Sequence, residues 1–301
     1  MNQVLDVRPY RQPADRQPTR PLLRWHGGKW LLAPWIISFF PEHRVYCEPF
    51  GGAASVLVRK PRSYAEIYND LDDDVVNLFQ VLRSSRYAEL THNIIHTPFA
   101  RSEFRAAYEE SDDPVERARK LIIRSFMGFG SDGHNGARPT GFRANSNRSG
   151  TTPAHDWANY SEGLELIIWR LEGVVVENRP AIEVMAQCDS PETLHYVDPP
   201  YVWETRSKAK NSSRKNYRHE LSNEDHEKLL SFLDGLQGMV VLSGYPHPLY
   251  DETLEHWERH ERKALADGAR ERTEVLWLNP AAAKANADRT AQMHLFSGSA
   301  A

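Results

Sequence analysis

HRVYCEPFGGAASVLVRKPRSYAEIYND, residues 43–70, is the stretch on which the fold turns. A β-rich run (43–50) leads through Gly51-Gly52 into a helix-like segment, and a second strand-like run (63–70) ends in Asp70. Strand, glycine turn, helix and strand in this order make a βαβ unit, and such units build sheets covered by helices. In an open α/β sheet, ligands bind beyond the carboxyl ends of the strands. The turn Glu48-Pro49-Phe50-Gly51-Gly52 lies at such an end, and its glycines allow close approach of backbone to a ligand. Asp70 follows Gly52 by 18 residues, an offset that suits a carboxylate accepting hydrogen bonds from ribose hydroxyls of a nucleoside.

The rest of the chain extends this unit. Residues 1–20 are rich in Pro, Arg and Gln without apolar periodicity and read as a disordered tail. GGKWLLAPWIISFF (27–40) reads as a loop opening into a helix stopped by Pro41, and LDDDVVNLFQVLRSS (71–85) as an amphipathic helix. Over 85–170 helical patterns dominate, around a Gly/Arg/Asn-rich stretch at 128–150. Strand patterns return at 174–178, 193–201, 238–246 and 272–280. The expectation is an α/β sheet interrupted by a helical insertion of roughly 90 residues, a normal size for a small domain.

Composition is that of a soluble globular chain: 301 residues, 40% hydrophobic and 26% charged, with a net charge of −4. The longest apolar run, LLAPWIISFF, is too short to span a bilayer, and no secretory signal is expected. The two cysteines, Cys47 and Cys188, have neither a disulfide-framework nor a zinc spacing; they read as buried thiols in a reducing cytoplasm. His92/His96 and His256/His260 have i, i+4 spacing but no HExxH arrangement and no evident third ligand, so no metal is expected. Two stretches are locally basic. Residues 124–148 carry Arg124, Arg138, Arg143 and Arg148, and residues 206–218 include Arg214 and Lys215.

HYVDPPYVWE (195–204) places Asp198-Pro199-Pro200-Tyr201 at the end of an apolar strand. Two prolines stiffen the turn, so that the Asp198 carboxylate and the Pro199 carbonyl can both be offered as acceptors. With Tyr201 as a flat neighbour, the set suits a planar group bearing an exocyclic amine. LLRWHGGKW (22–30) adds another glycine turn, with Lys29 able to face a carboxylate and Trp25 able to stack.

RWHGGK, EPFGGAASV, YNDLDDD and DPPY, in that order, resemble the Dam-type (D12 class) adenine-N6 DNA methyltransferases. The resemblance implies a Rossmann-like α/β sheet over 21–84 and 171–285 that binds S-adenosylmethionine. It also implies a helical target-recognition insertion at 85–170, and residues 286–301 are expected as a flexible tail. It assigns Trp25, Lys29, Glu48, Phe50, Gly51, Gly52, Asp70 and Asp198 to the cofactor, and Asp198, Pro199 and Tyr201 to catalysis on an adenine flipped out of double-stranded DNA. In the basic stretches, Arg124, Asn135, Arg138, Arg143, Arg148, Arg214 and Lys215 are the expected DNA contacts. Two departures stand out. Ala54 occupies a place where that family often has glycine, and the insertion lacks the aromatic segment of the family's best-known type. Cytosine N4, RNA adenine or a protein amide as acceptor, and a catalytically silent DNA-binding protein, remain open alternatives. Gln292-Met293-His294-Leu295-Phe296 resembles peptides that dock on the bacterial sliding clamp.

Overall fold

The computed structural model describes residues 17–130, 140–144, 150–205, 218–266 and 270–297, with side chains described except at 265–271 and from 290 onward. Seven strands form one sheet: β1 (Val45–Glu48), β2 (Ala65–Asn69), β3 (Val174–Glu177), β4 (Thr193–Val197), β5 (Met239–Gly244), β6 (Glu258–Ala266) and β7 (Arg270–Leu278). Their order is β3-β2-β1-β4-β5-β7-β6. The first five are parallel, and β7 runs antiparallel to both β5 and β6. Strand order reverses between β1 and β4, which opens a crevice at their carboxyl ends.

Side-chain alternation divides the sheet into two faces. Tyr46, Tyr68, Leu194, Tyr196, Val241 and Leu276 face one way and meet α1 (Ala33–Ser38), α2 (Ser55–Arg59) and α3 (Asp73–Leu82). Cys47, Val197, Val240, Leu242 and Trp277 face the other way. They pack on α9 (Ala181–Cys188), α10 (Asn223–Asp234) and α11 (Pro248–Thr253).

The insertion consists of α4 (Tyr87–Ile95), α5 (Arg101–Ala106), α6 (Pro114–Met127), α7 (Pro153–Ala158) and α8 (Leu164–Arg170). It has no core of its own among the described residues: Leu90, Phe104, Leu121 and Tyr160 join Leu78 and Phe79 of α3 in the cluster that covers the sheet. Arg170 is fully buried and donates to both oxygens of Glu66 on β2, at 2.6 and 2.9 Å. Lys60 meets the same carboxylate at 2.7 Å.

Three features differ from the sequence expectation. β6 was not expected, because its first six residues, ERHERK, are all polar. It is an edge strand paired only with β7, and charge on an edge blocks further pairing. Residues 286–297, expected as a flexible tail, continue α12 (Pro280–Ser297). Asn286 donates to the Phe39 carbonyl, and Arg289 to those of Phe40 and Ser38, serving carbonyls that the C-terminus of α1 leaves open. The clamp-like stretch 292–296 is therefore helical in backbone, and its side chains lie outside the described residues. Arg20, expected in the leading tail, donates to the carbonyls of Asp156 and Asn159. No helix of the described residues is long and apolar enough to cross a membrane.

Candidate active site

The turn after β1 is built for close approach. Gly51 donates to the Asn69 carbonyl at 2.8 Å, and a Cβ there would stand 2.1 Å from the Tyr68 ring. Gly52 has φ +47°, and a Cβ there would stand 2.6 Å from Trp25 Nε1. Neither position takes a side chain without displacing an aromatic ring. Ala54, which caps α2, has φ 51° and is the one non-glycine residue with positive φ among the described residues. Its methyl costs about 1 kcal/mol in that conformation, which explains why the resembling family often has glycine there.

Asp70 closes the turn. Its Oδ2 accepts from the Gly52 N–H at 2.7 Å and its Oδ1 from the Asp72 N–H at 2.8 Å. Burial raises its pKa to about 6 despite these bonds. Asp72 caps α3 and receives Arg218 at 3.0 Å.

Across the crevice, β4 delivers Asp198. Lys29 Nζ lies 3.0 Å from Asp198 Oδ2 and donates to the Gly27 carbonyl at 2.7 Å, with only 4% of its surface exposed. Ser243, at the end of β5, donates to Asp198 Oδ1 at 2.7 Å. Tyr201 is buried: its hydroxyl donates to Glu274 of β7 at 2.9 Å, Tyr245 meets it edge-on, and the Lys29 ammonium sits 4.7 Å from its ring centre. Glu48, buried, accepts from the Tyr46 hydroxyl at 2.6 Å. Burial first, and the nearby Asp198 charge second among the raising effects, push it up to about 8.

All eight expected cofactor residues line one cavity, together with Pro199 and Pro200. Tyr201 stands behind that lining, anchored by its hydroxyl. The sequence reading missed Asp72, Arg218 and His219 in the wall, and Ser243 and Glu274 behind it. For Ser243 the only signal was a hydroxyl in an otherwise apolar strand; Glu274, in the half-polar β7, carried none.

The expected DNA contacts fare differently. Arg124 is buried, donating to the Ala107 carbonyl at 2.7 Å and to Asp74 at 3.3 Å. Arg143 is buried too and donates to the Phe126 carbonyl. Both hold the insertion together instead of facing solvent, a correction to the charge-based expectation. A basic residue packed against the core, on helix α6 for Arg124 and in the loop after it for Arg143, must bring its charge to an internal partner. Asn135, Arg138, Arg148, Arg214 and Lys215 lie outside the described residues. His256 and His260 do not share a helix face; they pair with Asp234 and Glu258 respectively.

The family described as D12 class N6 adenine-specific DNA methyltransferase matches residues 25–266. The chain is similar to the DNA adenine methylase of Escherichia coli K12, 28% identical over 116 residues, which is 36% of this chain and 41% of that protein. It is also similar to that of Haemophilus influenzae, 30% identical over 118 residues and again 36% and 41% of the two chains. The DNA adenine methylase of Vibrio cholerae is 28% identical over 116 residues, 36% of this chain and 42% of that protein. The chain thus spans about two fifths of the length of the curated relatives it matches.

Proposed function

From the premise that the chain belongs to the D12 class of N6 adenine-specific DNA methyltransferases, we propose that it methylates the N6 amine of adenine in double-stranded DNA, with S-adenosylmethionine as methyl donor. The observation that carries the reading is Asp198: an acceptor at a strand end, in the crevice where strand order reverses, held from two sides by Lys29 and Ser243.

The cavity residues fit a nucleoside-bearing donor. The Gly51-Gly52 backbone leaves room that a Cβ would fill, Trp25 and Phe50 offer apolar flanks, and each Asp70 oxygen keeps a lone pair for a hydroxyl. When bound, S-adenosylmethionine supplies a methyl group on a positively charged sulfur. The adenine amine is a poor nucleophile, because its lone pair is delocalised into the ring. Asp198 and the Pro199 carbonyl accept its two hydrogens, favour a pyramidal nitrogen and stabilise the positive charge that develops on it. Lys29 and Ser243 fix the Asp198 carboxylate in advance, so little reorganisation is left for the reaction. Tyr201, clamped by Glu274, stiffens the turn that presents both acceptors and is the aromatic neighbour of a base that has left the stack.

The test is product analysis. Purified protein is incubated with duplex DNA and S-adenosylmethionine, and the DNA is digested to nucleosides for mass spectrometry. N6-methyladenine is expected. N4-methylcytosine as the sole product, or no methylated nucleoside, overturns the reading.

A further inference from the structure

On the face of the sheet turned away from Tyr46 and Glu48, the fold gathers three metal-ligating side chains distant in sequence. Cys47 of β1 and His195 of β4 are register partners on adjacent strands, and Cys188 closes α9 above them. The two sulfurs and one imidazole nitrogen all lie within 4.8 Å of one another. Cys47 and His195 are fully buried, and Cys188 is half-buried.

The histidine supplies a second, independent observation. Its Nε2 is taken by Asp189 Oδ1 at 3.2 Å. Its Nδ1 is buried with no hydrogen-bond partner, a costly state for a ring nitrogen in a core. A carboxylate on one imidazole nitrogen with the other left open is how proteins orient a metal-binding histidine. We propose that Cys47, Cys188 and His195 bind one zinc ion, which pins β1, β4 and α9 together beneath the cavity.

Geometry and charge both favour this cation. Three atoms within 4.8 Å of one another have a common centre at most about 2.8 Å from each, against zinc distances of about 2.3 Å to sulfur and 2.0–2.1 Å to nitrogen. Closing the site takes shifts of well under 1 Å. Two thiolates neutralise a divalent cation, so the loaded site carries no net charge into the core, whereas a monovalent soft cation would leave one negative charge buried. Without metal the Cys188 thiol donates to the Met185 carbonyl of its own helix at 3.7 Å. On binding, each thiol releases its proton to solvent and gains a bond to the metal.

The ion touches none of the reacting groups, so the site stands or falls independently of the methylation reading. It bears on the cavity through position. Glu48 follows Cys47, β4 runs on from His195 to Asp198, and Ala181 at the start of α9 lines the cavity wall.

The full chain is loaded with zinc chloride, desalted and analysed for metal by mass spectrometry, alongside Cys188→Ser. About one zinc per chain is expected for the wild type, with loss of at least tenfold in affinity for the variant. Zinc should also slow alkylation of Cys188 in the wild type and raise its melting temperature, a readout that needs no variant. Cobalt substitution should give a thiolate-to-metal absorption band that Cys188→Ser lacks. The proposal is overturned if wild type retains no zinc, if Cys188→Ser binds it equally well, or if the two cysteines are a disulfide that persists in the presence of reductant and zinc.

Discussion

Asp198 and Glu48 face the same cavity with opposite electrostatic situations. Asp198 has a buried ammonium at 3.0 Å, so replacing it with alanine would leave Lys29 without that counter-ion in the core. Asp198→Asn is the cleaner probe, since it preserves shape while removing the charge that meets the developing cation. It should lower kcat by about 100- to 1,000-fold while leaving donor affinity much less affected. Single-turnover kinetics with calorimetry on the same sample checks both halves. Glu48 has the Tyr46 hydroxyl for company, and burial lifts it to about 8 from an ordinary value near 4.5. Between those values the folded chain holds a proton that the unfolded chain has released. Stability attributable to Glu48 is therefore full below about pH 4.5 and is lost as pH rises through about 8, at roughly 1.4 kcal/mol per pH unit. In urea titrations from pH 5 to pH 8, wild type should lose stability relative to Glu48→Gln. Parallel pH profiles for the two proteins would remove Glu48 from the list of buried, neutral acids.

Among the elements, α10 shows how a helix terminus is tied to the cavity. Ser222 accepts from the Asp225 N–H, and Asp225 accepts from the Ser222 N–H, a reciprocal capping box. Just before it, His219 and Leu221 line the cavity and Arg218 reaches Asp72 and Asp74. The box therefore fixes where the chain leaves the wall of the site. Ser222→Ala should cost about 1 kcal/mol of stability, read as a lower urea midpoint with unchanged slope. The edge strand β6 was not expected, because its polar first six residues match neither a buried strand nor an amphipathic helix; only its pairing with β7 makes it a strand.

For the molecule as a whole, one core joins a face of the sheet to the inserted helices, and Arg170 sits where they meet. Its guanidinium donates to Glu66 on the sheet and to the Leu57 carbonyl, fully shielded from water. Arg170→Ala leaves Glu66 with Lys60 and the Ser63 N–H and should destabilise the protein by about 3–5 kcal/mol. Because the core is continuous, loss should be cooperative, with tryptophan fluorescence and far-ultraviolet circular dichroism reporting one transition. Separate transitions for insertion and sheet would mean that the inserted helices hold together without the sheet.

By itself the sequence determined the βαβ unit and eight of the residues that line the cavity. Each of these rests on local information: periodicity, glycines where the turn needs them, and an aspartate at a fixed offset. Six of the eight expected residues converge because they sit at or just beyond strand ends, and strand ends of a parallel sheet share one edge; Trp25 and Lys29 join them from the loop before α1. Only the tertiary structure decided which distant groups face each other. Lys29 and Asp198, 169 residues apart, became an ion pair with the ammonium buried. Arg124 and Arg143 turned inward, since charge in a sequence does not reveal the face from which it will project. Cys47 and Cys188, read as buried thiols, and His195, which no motif singled out, meet because strand register places Cys47 beside His195 and α9 ends above them. Register and helix placement are set by packing across the whole sheet, and no window of sequence contains them.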